Sequence, residues 1–266
     1  MLRTVRYNIV SPRVPAEFDG FTIAHLSDLH GELYGQKNCI LEKKIHEINP
    51  DIVVMTGDMA DTKDGSVFTA ANLCLKLLKR YPLYYVQGNH EQAMTPAEWM
   101  WLRESIRPSG VMVLENQRQT IFRKGAFLRI YGLVMDMPYY KDPKRDGYVK
   151  DIHFSAEDVR QALGEADEDA FNILLCHNPL YFPSYRDWGA DLTLAGHIHG
   201  GIIRIPGVGG LLSPDLTLFP KYDGGHFEEE GRQMVVSRGL GNHFLFRVMN
   251  PAELVAVTLK AGEEKR

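Results

Sequence analysis

Five short apolar runs in this chain each stop on side chains able to hold a metal ion. The stops are Asp28-Leu29-His30, Gly57-Asp58, Gly88-Asn89-His90-Glu91, Cys176-His177 and Gly196-His197-Ile198-His199. Carboxylate, amide and imidazole groups with few thiolates suit Mn, Fe or Zn better than a soft-metal site. A centre of oxygen and nitrogen ligands points to hydrolysis. Each motif alone has an ordinary structural explanation. An Asp-x-His can cap a turn, Gly57-Asp58 can be a plain turn, and Asn89 can be a left-handed turn residue. Jointly those explanations fail, because they do not say why all five run ends carry ligands.

The runs themselves cover residues 21–26, 52–56, 83–86, 173–175 and 192–195, and they are rich in Ile, Val, Leu and Tyr. They read as buried strands. In an open α/β sheet, sites form at the carboxyl ends of strands, so five such ends at one edge would gather the ligands. After the first strand, Leu41, Ile45 and Ile48 recur at helical spacing; after the second, Val67, Ala70, Cys74 and Leu77 do the same. Asn49-Pro50 and Tyr81-Pro82 close those helices. The alternation predicts βαβ units with right-handed crossovers. Runs at 111–114, 119–123 and 127–133 predict antiparallel pairing in the middle of the chain. Ser155-Ala156-Glu157-Asp158 reads as a capping box that opens a helix over 155–163. Residues 233–237 and 254–259 read as further strands. The polar, aromatic-containing stretch 136–153 reads as a long loop, and such loops in compact domains are often functional.

Bulk properties bound the class. The chain has 266 residues, 44% hydrophobic and 24% charged, ordinary values for a globular protein with a substantial core. No repeat or linker divides it, so a single domain over 1–266 is expected. A net charge of −4 argues against a nucleic-acid partner held by bulk electrostatics. Cys39, Cys74 and Cys176 form no Cys-x-x-Cys pair, which argues against a disulfide framework or structural zinc and for a reducing compartment. No window approaches ~18 apolar residues, so no membrane span is expected. Residues 1–18 show no signal-peptide pattern, and the expected location is cytoplasmic.

The ordered set DxH, GDxxD, GNHE, H and GHxH resembles the calcineurin-like metallophosphoesterase superfamily, from about residue 21 to the C-terminus. Gly196-His197-Ile198-His199-Gly200-Gly201, Ser237-Arg238-Gly239-Leu240-Gly241 and Asn250-Pro251-Ala252-Glu253-Leu254 further resemble its YaeI- or YkuE-like bacterial branch. Many members of that branch carry an N-terminal membrane or export segment; none is read in this chain. The resemblance implies a four-layer α/β/β/α sandwich with two mixed β-sheets and two divalent metal ions, Mn, Fe or Zn. It makes Asp58 the bridge between them. Asp28, His30 and His199 would complete the ligand set of the first ion, and Asn89, His177 and His197 that of the second ion. His90 matches the family's catalytic histidine, which protonates the leaving alkoxide or stabilises the transition state. Asp61, three after Asp58, would orient His90 as a carboxylate partner. Glu91 stands where the family usually has Asp, a change expected to alter local hydrogen bonding and not metal binding.

Two divalent ions bring about four positive charges and Asp28 and Asp58 remove two, so the pocket stays cationic in a mildly acidic protein. A water on such ions can have its pKa lowered to ~7, and the hydroxide attacks phosphorus in line with the leaving oxygen. The expected reaction is hydrolysis of a phosphodiester or pyrophosphate. Nucleotides, sugar nucleotides and lipid-linked diphosphates are the candidate substrates, since a superfamily relative cleaves UDP-diacylglucosamine. A phosphomonoesterase is the nearest alternative. A metal-binding scaffold that has lost catalysis is a third reading, and the complete ligand set argues against it. A β-lactamase-like zinc hydrolase would need an HxHxDH run, and Gly200-Gly201 occupy its place. Arg238 and His243 are candidate substrate contacts, with a structural ion pair as the competing role for Arg238. Tyr139, Tyr140 and Tyr148 with Lys141, Lys144 and Arg145 form either a recognition lid or a solvated loop. Phe244 and Phe246 line a groove or the core. His25 and Cys176 read as buried, His46 as an exposed helix residue, and His153 and His226 as loop residues.

Overall fold

The computed structural model describes residues 2–63, 65–140, 153–201, 203–205, 209–212, 218–241 and 247–262. In chain order the first elements are β1 (Arg3–Ser11), β2 (Thr22–Leu26), α1 (Cys39–Ile48), β3 (Ile52–Thr56), α2 (Ser66–Leu77) and β4 (Leu83–Val86). The short α3 (Asn89–Ala93), α4 (Pro96–Ile106), β5 (Met112–Val113), β6 (Gln117–Arg123) and β7 (Ala126–Gly132) come next. Then come α5 (Ala156–Leu163), β8 (Phe171–Leu175), α6 (Phe182–Trp188), β9 (Leu192–Ala195), β10 (Ile203–Ile205) and β11 (Gly209–Leu212). The last strands are β12 (Gly225–Glu229), β13 (Arg232–Val236) and β14 (Glu253–Ala261).

Two six-stranded sheets result, ordered β1-β14-β2-β3-β4-β5 and β12-β13-β9-β8-β7-β6, with β10–β11 a separate hairpin. Both sheets are mixed. The run β2-β3-β4-β5 is parallel and β14 joins it antiparallel. The run β7-β8-β9-β13 is parallel, with β6 and β12 antiparallel at its edges.

Burial on both faces explains the unbroken apolar runs. Ile52 and Val54 of β3 face the other sheet, where they share a core with Ile130, Ile173, Leu192 and Val235. Val53 and Met55, pointing the other way, pack with Leu41 and Ile45 of α1 and Ala70 and Cys74 of α2. The outer face of the second sheet buries Tyr131 and Leu174 against Val159 of α5 and Tyr185 and Trp188 of α6. Each fully buried aliphatic side chain of this kind contributes about 1.5–3 kcal/mol. The layers are therefore helix, sheet, sheet, helix: the α/β/β/α sandwich.

Three features differ from the sequence expectations. The five strands that end on candidate ligands do not share one sheet: β2, β3 and β4 belong to the first and β8 and β9 to the second. Second, the run at 111–114 does not pair antiparallel with the run at 119–123. Its β5 lies parallel to β4, and Asn116, in the left-handed region (φ 53°), turns the chain across to the second sheet. Third, β1, α4 and β10–β12 lie outside the expected elements, and His226 lies on β12 with its Nε2 3.0 Å from Gln233 Oε1. Among the described residues, no helix is long and apolar enough to cross a membrane.

Candidate metal centre

The chain turns sharply just after β2, β3 and β9 end. Asp28, His30, Asp58, His197 and His199 all have positive φ, between 49° and 73°. Non-glycine residues rarely adopt this region, and where they do the surrounding structure must hold them there. Here the post-strand loops hold one another. Asp28 N–H donates to Gly57 O at 3.0 Å, His30 N–H to Asp58 O at 2.9 Å, and Gly196 N–H to His177 O at 3.0 Å. His197-x-His199 is thus not an extended segment; two left-handed residues aim its side chains. Gly88 and Gly196 permit the close approach. A Cβ on Gly88 would stand 2.2 Å from Asp58 Oδ1, and one on Gly196 would stand 1.9 Å from Ser27 Oγ.

Two groups of potential ligand atoms form, each within a 4.8 Å span: Asp28, His30 and His199, and Asp58, His177 and His197. In the first, His30 and His199 stack at 21° and their Nε2 atoms converge to 3.3 Å. Asp28 Oδ1 lies 3.4 Å from His199 Nε2. In the second, Asp58 Oδ2 lies 3.0 Å from His177 Nε2. The same Asp58 oxygen is 4.0 Å from His30 Nε2, so it stands between the groups. His177 Nδ1 is 2.7 Å from the carbonyl of Thr56. A carbonyl only accepts, so Nδ1 carries the proton, and the lone pair of a neutral ring lies on Nε2, facing Asp58.

Burial and mutual charge set the protonation. Burial lowers His177, but Asp58 and Asp28 overcome it and carry its pKa up to about 9. Asp58 is pushed up by burial and pulled further down by His177, ending well below the carboxylate range. Asp28 is raised, chiefly by burial. Burial drives His197 and His199 well below the usual imidazole value. Asn89 Oδ1 is buried with no hydrogen-bond donor among the described residues. An orphaned buried oxygen calls for a partner. With two clusters of carboxylate and imidazole atoms beside it, this donor set fits a pair of divalent ions.

The sequence model of calcineurin-like phosphoesterases matches residues 21–201, which contain all five motifs. The chain belongs to the calcineurin-like phosphoesterase family. That family normally uses divalent metals, and membership implies phosphohydrolase activity. The chain is 28% identical over 269 residues to the uncharacterized metallophosphoesterase YkuE of Bacillus subtilis, covering 98% of this chain and 86% of that one. It is 24% identical over 315 residues to the UDP-2,3-diacylglucosamine pyrophosphatase LpxG of Chlamydia trachomatis, covering 96% and 88%. The NAD nucleotidase NadN of Haemophilus influenzae shares the fold with a TM-score of 0.50 at 15% identity, over 82% of this chain and 50% of that one.

His90 and Asp61 of this metallophosphoesterase stand beside the two groups. His90 sits on the rim with its side chain 23% exposed, the most open imidazole of the centre. Its N–H donates to Asp58 Oδ1 at 2.8 Å, and its ring meets His30 edge-on at 4.7 Å. Asp61 lies near both: His30, Asp61 and His90 form a third group within 4.8 Å. Its closest ring contact is His30, with Oδ2 3.5 Å from Nδ1, so Asp61 braces a candidate ligand as well as neighbouring His90. Burial raises Asp61, but His30 and Lys63 hold it down at about 2.

Glu91 does more than the sequence suggested. Its buried carboxylate accepts N–H bonds from Asp58, Met59, Ala60 and Gly88 and the hydroxyl of Tyr85, at 2.6–3.1 Å. Burial and the Asp58 charge push its pKa up while these donors pull against them. Two more residues touch the centre. Tyr140 is buried with its ring edge-on to His197 at 5.1 Å. Arg247 places Nη2 3.2 Å from Nδ1 of His199 and donates to the carbonyls of Arg238, Gly239 and Gly241. The Tyr139-Tyr140 pair falls in an aromatic stretch; nothing in the spacing marks Arg247.

Arg238, a candidate phosphate contact, instead forms an ion pair with the fully buried Glu253, with Nε donating at 2.6 Å. His25 is buried, bonded to Thr56 Oγ1 at 2.8 Å and lowered to about 3 by burial. His46 is half-buried, its Nδ1 2.9 Å from the hydroxyl of Tyr81. Burial pushes the Cys176 thiol up to about 12, which makes it inert. His243, Phe244, Phe246, Lys141, Lys144, Arg145 and Tyr148 lie outside the described residues.

Proposed function

We propose that this protein is a binuclear metallophosphoesterase that hydrolyses a phosphodiester or pyrophosphate bond. The observation that carries the reading is the placement of Asp58 Oδ2 between the two ligand groups, 3.0 Å from His177 and 4.0 Å from His30. A carboxylate in that position can bridge two ions. Asp28, His30 and His199 would hold one ion and Asn89, His177 and His197 the other. When bound, the pair supplies Lewis-acid stabilisation of the phosphoryl oxygens and lowers the pKa of water.

The chain's own groups do the rest. The Thr56 carbonyl keeps His177 in the tautomer with Nε2 free, and Glu91 holds the turn that carries Asp58. Asp61 braces His30 from Nδ1. His90, partly open to solvent beside both His30 and Asp58, would give a proton to the leaving oxygen. The pyrophosphatase name of LpxG, a full-length relative, supports a diphosphate or diester substrate, among them nucleotides, sugar nucleotides and lipid-linked diphosphates.

The test is a panel assay on manganese-, iron- or zinc-reconstituted protein with a monoester, a diester and sugar-nucleotide diphosphates. Preferred turnover of the diester or diphosphates is expected. Preferred turnover of the monoester would replace this reading with a phosphomonoesterase, and turnover of none, with under one ion per chain, would favour a scaffold.

A further inference from the structure

His177, His30 and His199 each face a partner at Nδ1, and the partner of His199 differs in kind from the other two. The Thr56 carbonyl lies 2.7 Å from Nδ1 of His177, and Asp61 Oδ2 stands 3.5 Å from Nδ1 of His30. Both partners are acceptors. In each neutral ring Nδ1 therefore carries the proton, and Nε2 is left for a metal. The partner of His199 Nδ1 is Nη2 of Arg247, at 3.2 Å. A guanidinium has donors and no acceptor. His199 Nδ1 is therefore bare, and the proton of that ring is on Nε2. This is the nitrogen turned to Asp28 and His30, at 3.4 and 3.3 Å. The bonds run in one direction: Arg247 donates to His199 Nδ1, His199 Nε2–H donates to His30 Nε2, and His30 Nδ1–H faces Asp61.

The guanidinium is built into this place. It is largely buried, and it donates to the carbonyls of Arg238, Gly239 and Gly241. A Cβ on Gly239 would stand 3.2 Å from both Nη2 of Arg247 and Nδ1 of His199, so a bare backbone is needed where the two groups meet. Away from His199, Arg247 lines a cavity of about 540 Å³ whose walls also include Glu32 and Tyr34.

We propose that Arg247 is a positioning residue that holds His199 in the wrong tautomer for the first ion, which makes that ion the more weakly bound of the two. The inference rests on the binuclear reading above and names the residue that sets the affinity of one site. For Nε2 of His199 to face an ion, its proton must pass to Nδ1, with no net release. Two N–H groups cannot then face each other at 3.2 Å. The guanidinium must leave Nδ1, and the cavity with Glu32 on its wall is open to it.

The experiment is calorimetric titration of the full, metal-stripped chain with zinc, joined to ring-nitrogen NMR of the same samples. The His199 signals are identified by their loss in His199→Gln. In the stripped chain they should show a bare Nδ1 and a protonated Nε2, and zinc should move the proton to Nδ1. The chain should take up two ions with affinities about tenfold or more apart. Arg247→Gln offers an amide oxygen that accepts from Nδ1–H, and it should tighten the weaker ion by about tenfold or more. Arg247→Lys keeps a donor in place and should leave the two affinities apart. A purely structural Arg247 predicts the reverse for Arg247→Gln, because losing its carbonyl bonds would loosen the site. A weaker ion left unchanged or loosened in Arg247→Gln, or a protonated Nδ1 in the stripped wild-type chain, overturns the proposal. If neither variant folds, the NMR of the wild-type chain decides alone. Uptake of a single ion by both wild type and Arg247→Gln overturns this proposal together with the binuclear reading. Two ions bound as expected, in a chain that turns over no phosphoester, support Arg247 and count against the hydrolase reading alone.

Discussion

The carboxylate of Glu91 accepts the backbone N–H of Asp58 at 2.7 Å. It binds the next two amides as well, so one side chain fixes the backbone of the turn that aims the proposed bridge. Glu91→Gln would turn one acceptor oxygen into an amide donor facing N–H groups. We expect a loss of about 3 kcal/mol in urea unfolding, from an N–H left unsatisfied and a charge-assisted bond removed. Metal retention should fall with it. Wild-type stability in the variant would show that the turn holds itself.

Asp58→Asn should leave at most one ion per chain after manganese reconstitution, because an amide offers one oxygen and no charge to share. Elemental analysis and the panel assay read this together. Two retained ions with retained turnover would end the bridging assignment.

His90→Ala should keep both ions and lose turnover by ~10²–10⁴ if the residue is a general acid. The loss should shrink for a nitrophenolate leaving group, which needs no proton. Equal losses for both leaving groups would instead give His90 an electrostatic role in the transition state.

His177 sets a pH dependence in metal-stripped protein. Its folded pKa is raised from 6.5 to about 9 by Asp58 and Asp28 against burial. A raised pKa means the folded state holds the proton more tightly than the unfolded chain. The resulting stabilisation is complete below pH ~6.5 and is lost as pH rises through about 9. The melting temperature of the stripped protein should therefore fall between these values, and His177→Gln should remove that fall. Metal binding at His177 must also release its proton, so metal affinity should rise over the same window. A melting temperature flat across it would contradict the His177–Asp58 pairing.

Strands buried on both faces were legible because they leave continuous apolar runs: β3, β4 and β9 appear at the residues expected. The helix after Ser155 was legible because its capping box is local, and Ser155 Oγ does accept from Asp158 N–H. The start of α4 carries the same kind of signal in Thr95-Pro96-Ala97-Glu98, where Thr95 caps Glu98 N–H and proline fills the first turn. That signal is local and could have been read. β1 was hidden: exposed and half-buried residues alternate irregularly along it, and only its parallel pairing with β14, almost the whole chain away, makes it a strand.

At the site, the order and types of Asp28, His30, Asp58, Asn89, His90, His177, His197 and His199 stood in the sequence, since the donor atoms of a hard-metal centre must be covalently present. Their grouping did not. Which carboxylate faces which imidazole depends on left-handed turns at five candidate ligand positions and on two sheets meeting at one edge. The binding of Glu91 to the Asp58 turn, of Asp61 to His30 and of Arg238 to Glu253 is likewise tertiary. A sequence records which groups can bond; only the packed chain decides which of them come within reach, because those contacts join residues dozens to hundreds of positions apart.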